Sequence, residues 1–472
     1  MILPRSLFFL LALGCSALAR AFVVPPDATE AERLRYAPFE NFRIKGVCGD
    51  VDLERLASIG VNAVRGYTFE NNAAMRRKLD EAQRLGLKMI VSEWMPHHGV
   101  NKTKDGYPWT FDYSAKGEEL TANFIRKLEA VGDHPAILMW GLGNEVHLDE
   151  PYLRVVNRLS LAIHERFPHH LTSLTMINAK PDDIAKIKRF APDLDVLGIQ
   201  CYSRGAVRGG IRNAETHWGK PFYLSEFNTN GPWNFAKTAW GCPVDEPVTR
   251  KVADLKDCYA AIDASPLCLG STIFVWGHYA VADRPTYFST LLDADPAGPK
   301  KTASFDQLLW TPQADVMTEH FTRRPITGNR APVLSRIEFA ASAKSRTALP
   351  GETLPLHLAA EDADGDRVTF VTWILQAKTR KVTPLAGPFP QASGENAVAV
   401  APATPGEYLV IAYALDGKGG ASASVLPFKV LTAEEQAMAA ASPPANTDTV
   451  AIPSPATDPL SDSRRPKKRF FK

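Results

Sequence analysis

From residue 42 to about residue 309, short continuous apolar runs alternate with stretches whose apolar residues recur every three or four positions. The runs fall at 42–47, 61–66, 87–94, 136–145, 171–176, 195–200, 221–227 and 270–276. Between them, Met75, Leu79, Ala82 and Leu85, then Leu120, Phe124, Leu128 and Val131, then Tyr152, Val156, Leu159 and Ile163 repeat at helical spacing. Further helices are expected at 51–58 (Asp50 as N-cap, Gly60 as stop), 182–190, 248–264 and 302–309. Runs apolar throughout fit strands buried on both faces, and strands separated by helices pair in parallel through crossovers. Eight such units in about 280 residues predict a (β/α)8 TIM barrel, a fold of ~250 residues. A doubly wound open sheet is the competing arrangement, but no glycine-rich phosphate loop follows the first strand.

The pattern changes near Asn329-Arg330-Ala331-Pro332. Short β-rich runs follow at 354–358, 367–375, 397–400, 408–414 and 423–430, separated by turn pairs such as Asp364-Gly365, Asp416-Gly417 and Gly419-Gly420. They predict a C-terminal all-β immunoglobulin-like sandwich. From Thr432 the chain is rich in Ala, Pro, Ser and Thr, reads as disordered, and ends in a basic run from Arg464 to Lys472. That end is either a solvated tail or an electrostatic tether to anionic polymer or headgroups.

At the other terminus, Arg5 precedes the apolar run 7–13, and Ala17-Leu18-Ala19 offers a cleavage site, the make-up of a secretory signal too short to span a bilayer. The expected division is a signal peptide at 1–21, a barrel at 22–328, a sandwich at 329–431 and a tail at 432–472, in a secreted or periplasmic protein.

Composition adds little to this picture. The 472 residues are 45% hydrophobic and 22% charged, with a formal net charge of +2 that gives no field for nucleic acid. Cys48, Cys201, Cys242, Cys258 and Cys268 follow the leader, an odd number. Cys242 with Cys258 or Cys268 is one reading; buried free thiols is the other. His97, His98 and His147 lack a third ligand at metal spacing, so no metal site and no cofactor are expected. The acidic run 361–366 reads as a hairpin turn, with calcium as its alternative.

The candidate chemistry lies at two strand ends. The fourth run ends in Asn144-Glu145 and the seventh delivers Glu226. In a TIM barrel the carboxyl ends of the strands surround one pocket, so both glutamates can face it. Two carboxylates flanking a bond are what glycoside hydrolysis requires: one protonates the leaving oxygen, the other attacks or activates water. Aromatic residues crowd the loops at that end (Trp94, Tyr107, Trp109, Trp233, Phe235 and Trp240), as faces on which sugar rings stack.

The endings Trp140-Gly141-Leu142-Gly143-Asn144-Glu145 and Ser225-Glu226-Phe227 resemble glycoside hydrolases of clan A, most of all the TIM-barrel domain of family 2, over about residues 40 to 320. The resemblance implies a retaining double displacement on a β-linked oligo- or polysaccharide, with Glu145 as acid/base and Glu226 as nucleophile. It implies that Asn144 binds the sugar 2-hydroxyl, Arg65 and Tyr202 hold the nucleophile, and Trp276 forms an aromatic floor. Family 2 enzymes usually carry two β-domains before the barrel; here the barrel opens almost directly after the leader. The opening 42–67 is also similar to β-1,3-glucanosyltransferases, so transfer to sugar is the alternative reaction, and a non-catalytic carbohydrate-binding envelope protein the alternative from another class.

Overall fold

Eight apolar runs form the strands β1 (Ile44–Cys48), β2 (Ala63–Arg65), β3 (Lys88–Glu93), β4 (Ile137–Asn144), β5 (Leu171–Ile177), β6 (Val196–Tyr202), β7 (Phe222–Asn228) and β8 (Cys268–Ile273). All pair in parallel with their sequence neighbours, and β8 returns to β1, closing the barrel. The structure is a computed structural model that describes residues 21–69, 72–97, 101–102, 108–109, 111–280, 283–298, 305–340, 346–379 and 381–441. The expected leader cleavage sites, His98, Tyr107 and the basic end lie outside those residues.

Helices at Asn72–Arg84, Tyr113–Val131, Glu150–Arg166, Pro181–Phe190 and Val248–Ala264 cover the barrel. Their ends follow local chemistry. Asp112 accepts from the amides of Ser114 and Ala115, and Gly132 closes the same helix at φ 72°. Among the described residues, no helix is long and apolar enough to cross a membrane.

Four expectations need correction. The short helix is Leu53–Ser58, and Asp50 does not cap it but pairs with Lys78. A helix at Arg204–Asn213 was not foreseen; the Ser203 hydroxyl starts it by accepting from Ala206. The last barrel helix is Pro312–Thr322, not 302–309, because Thr311 caps it and Pro312 fits its first turn. Leu309–Trp310 instead pairs as a strand with Leu291–Leu292. Finally, the tail begins with a helix, Ala433–Ala441, where Thr432 and Glu435 form a reciprocal cap.

The amino end of the barrel is sealed by one apolar residue from every strand: Ile44, Ala63, Ile90, Met139, Leu171, Val196, Tyr223 and Leu269. Tyr36 and Phe39, from the segment ahead of β1, cap this layer. Thr29 and Glu32 cap the helix Glu30–Tyr36 reciprocally, and Arg35 then binds the buried Asp195 at 2.7 Å.

The sandwich has a three-stranded sheet (Val333–Phe339, Thr353–Glu361, Ala397–Val400) and a five-stranded one (Thr347–Ala348, Ala421–Val430, Gly406–Leu415, Thr369–Gln376, Pro384–Gln391). Pro384–Gln391, which the sequence pattern hides, carries three prolines and therefore takes an edge. In the acidic run, Asp362 accepts from the amides of Asp364 and Asp366, which knits the turn. Barrel and sandwich pack as one compact unit through Val430; Leu431 onward is a second. Val248 enters the sandwich core, while Cys242 and Leu292 lie under the outer face of the five-stranded sheet. All five described cysteines are buried free thiols, so neither expected disulfide forms.

Candidate active site

Both acid-bearing strands carry one extra residue just before the acid. Between β6 and β7, Ile199 faces Leu224 but Gln200 faces Glu226, so Ser225 is inserted. Between β4 and β5, Gly141 faces Ser173 but Asn144 faces Thr175, so the insertion falls at Leu142-Gly143. Such bulges re-aim the residues that follow. Gly143 is required there: its φ is 103°, and a Cβ would lie 2.2 Å from the Tyr152 hydroxyl oxygen. Glu145 then takes a left-handed backbone at φ 55° and donates its amide to Thr175.

Glu226 is 5% exposed and accepts three side-chain hydrogen bonds. Arg65 Nη1 (2.8 Å) and the Tyr67 hydroxyl (2.7 Å) donate to Oε1, and the Tyr202 hydroxyl (2.7 Å) donates to Oε2. Arg65, 1% exposed, also donates to the Ser225 carbonyl at 3.1 Å and to Asn144 Oδ1 at 2.7 Å. The Asn144 oxygen takes a second bond from Gln200 Nε2 at 2.7 Å. With that oxygen engaged, what Asn144 has left for a ligand is the donor end of its amide.

Burial works against the Arg65 charge, but Tyr67 and Glu226 outweigh it and the guanidinium stays protonated. Burial pushes the Tyr67 and Tyr202 hydroxyls well above their ordinary range, reinforced by Glu226, so both are donors at any physiological pH. Glu145 follows the end of β4, and its electrostatic influence reaches the same Tyr202 hydroxyl. Beneath them, burial pushes the Cys48 thiol to about 11, and it stays neutral.

The structure therefore brings Arg65, Asn144, Tyr202 and Glu226 together, with Glu145 beside them. It does not bring Trp276 there. β8 ends at Ile273, and Trp276 is 3% exposed, packed edge-on to Trp310 and near Arg55. The ring of Phe274 lies in its place, 6.0 Å from Tyr202. Trp94 follows β3, is 49% exposed and leans on His97. Sequence reasoning missed Tyr67 and Gln200. Both were findable: Tyr67 lies two residues past Arg65, hence on the same side, and Gln200 two before Tyr202.

A wall of aromatic side chains supports Tyr202. Phe288 packs on it at 4.8 Å and Trp233 edge-on at 5.5 Å. Tyr287, next to Phe288, lies under the Arg284 guanidinium, which is buried against Asp283. Asp283 in turn accepts from the Lys378 amide of the sandwich at 2.7 Å, so the second domain braces the loop that braces the site.

No family model and no curated protein matches the chain. Among solved structures it is similar to beta-glucuronidase 2 of Bacteroides uniformis, covalently bound to cyclophellitol-6-carboxylate aziridine, at 14% identity and a TM-score of 0.41, over 83% of this chain and 46% of that one. A putative beta-galactosidase from Bacteroides fragilis gives 14% identity and 0.40, over 80% and 51%. A GH2 beta-galacturonidase from Eisenbergiella tayi bound to glycerol gives 17% and 0.37, over 50% and 43%. The chain spans about half the length of these structures.

Proposed function

We infer that the protein is an exported β-glycosidase acting on a β-linked oligo- or polysaccharide by retaining double displacement. One observation carries the reading. A buried carboxylate, Glu226, is held by a guanidinium and two hydroxyls at the mouth of a barrel, with a second carboxylate, Glu145, acting on one of those hydroxyls. Three converging donors fix both oxygens of that carboxyl group in place. Export rests on the leader at 1–21.

In the first step Glu226 attacks the anomeric carbon while the bond to the leaving oxygen breaks and Glu145 delivers a proton to that oxygen. Oε2, with Tyr202 as its partner, is the better nucleophile, since Oε1 shares its electron density with both Arg65 and Tyr67. In the second step Glu145 takes a proton from water, the water oxygen bonds the anomeric carbon, and Glu226 leaves. Asn144 presents its amide donors to a sugar hydroxyl beside the reacting carbon.

The test is a screen of β-linked polysaccharides and aryl β-glycosides with the wild type, Glu226→Gln and Glu145→Gln. Glu226→Gln should lose turnover by on the order of 10⁴-fold or more with the fold intact. Glu145→Gln should keep part of its activity on aryl glycosides with good leaving groups, which need little protonation. NMR of the first-formed product should show the β-anomer. Full activity of Glu226→Gln overturns the nucleophile assignment, and an α-anomer overturns the retaining mechanism.

A further inference from the structure

Of the Trp and Phe side chains described in the barrel, Trp94 and Trp233 alone are exposed, at 49% and 44%. Both stand at the carboxyl end of the strands. On β3, Ser92 faces the barrel interior against Gly141, and Glu93 faces outward to Lys127 at 2.6 Å. Alternation returns Trp94 to the inner side, at the rim. Trp233 follows β7 and is held in place from behind: edge-on to Tyr202 at 5.5 Å, tilted against Phe288 at 6.1 Å, and flat over Gly231, where a Cβ would meet the indole at 2.4 Å. An indole fixed in orientation yet nearly half open to water is a surface made to receive a flat apolar face.

The positions of the two rings matter more than their exposure. In the closed ring of eight, β3 and β7 are four strands apart by either route, which sets them on opposite sides of the mouth. Glu145 ends β4, next to β3; Glu226 lies on β7. Round the mouth, in strand order, come Trp94, Glu145, and then Glu226 with Trp233 after it. The proton donor serves the leaving side of the bond and the nucleophile the sugar that stays, so each side of the bond has its own aromatic platform. A substrate with a single sugar and a small leaving group uses only one.

Resting on the glycosidase reading above, we propose that the substrate is an extended β-linked sugar chain that crosses the barrel mouth, with Trp233 holding the sugar to be transferred to Glu226 and Trp94 holding the sugar on the leaving side. The linkage presented to the two acids therefore has a sugar ring held on each side.

The experiment uses the full chain with Glu226→Gln, which binds without turning over. Cello- and laminari-oligosaccharides of two to six units, and the corresponding manno- and xylo-series, are titrated by intrinsic tryptophan fluorescence. Affinity should climb with length in at least one series. Trp233→Ala in that background should weaken binding roughly three- to tenfold at every length, and Trp233→Phe should restore most of it. Trp94→Ala should weaken every member that spans the bond, the disaccharide included, by a similar factor. Affinity independent of length, binding absent from every series, or a Trp94→Ala variant that binds the longest member as tightly as its parent overturns the proposal. The two readings fail separately. Hydrolysis of aryl monoglycosides by the wild type with no length dependence sinks this inference alone. Length- and tryptophan-dependent binding by a wild type that cleaves nothing sinks the glycosidase reading and leaves the platforms standing.

Discussion

The two ends of the barrel are built from the same eight strands and solve opposite problems. At the amino end every strand supplies one apolar side chain, and Tyr36 and Phe39 close over them. Burial does the work there, at ~1.5–3 kcal/mol for each large side chain removed from water. At the carboxyl end the inward positions are Arg65, Asn144, Gln200, Tyr202 and Glu226. Burial there is a cost, and hydrogen bonds among the buried groups offset it. The contrast teaches where this fold tolerates change. The apolar end needs only volume, whereas each polar group at the other end depends on its neighbours.

Breaking the carboxyl end at its centre should have the largest effect. Arg65→Met leaves Glu226 buried without its cation, so stability should fall by ~3–5 kcal/mol in denaturant titration. Activity should be lost even in the fraction that remains folded. Phe39→Ala attacks the other end: a cavity there should cost up to ~3–5 kcal/mol, read as a lower melting temperature, with turnover per folded molecule unchanged at 20 °C. An equal loss of activity in both variants would erase the distinction between the ends.

Asp315 provides a control outside both. Burial raises its carboxyl to about 6, although it accepts from the Ala331 amide and the Trp310 indole. The folded state therefore holds its proton more tightly than the unfolded chain. The associated stability is fully present below about pH 4 and is lost as pH rises through about 6, up to ~3 kcal/mol. In Asp315→Asn that downward slope between pH 4 and 6 should vanish from a series of urea titrations. The smallest effect belongs to Tyr67→Phe. It removes one of the two donors on Glu226 Oε1, costing ~1.5–3 kcal/mol of stabilisation of that charge. At a fixed pH kcat/KM should fall by less than in Arg65→Met, while KM for a neutral substrate changes little.

The barrel was legible because continuous apolar runs and helical repeats leave little else to build. The convergence of Arg65, Asn144, Tyr202 and Glu226 was legible because each lies at or near the carboxyl end of a strand in a fold whose strand ends share one mouth. The misses have physical causes. A single inserted residue leaves no periodic trace, so the bulges at Leu142-Gly143 and Ser225 are invisible in the pattern. Trp276 was misplaced because the apolar run 270–276 continues three residues past the strand's end at Ile273. Leu309 read as the end of a helix because the two-residue strand Leu309–Trp310 has no period at all. Edge strands such as Pro384–Gln391 contain the residues that elsewhere mark loops.

The left-handed backbone of Glu145 carries a consequence for the history of such a protein. An L-residue with a Cβ held at φ 55° is disfavoured by ~1–2 kcal/mol, a penalty that glycine does not incur. The backbone at position 145 favours glycine, and the need for a proton donor pushes back. In a lineage released from that need, the backbone at position 145 would favour loss of the acid. The buried half, Glu226, is tied to Arg65 and two tyrosines and would persist as a fossil of the lost chemistry.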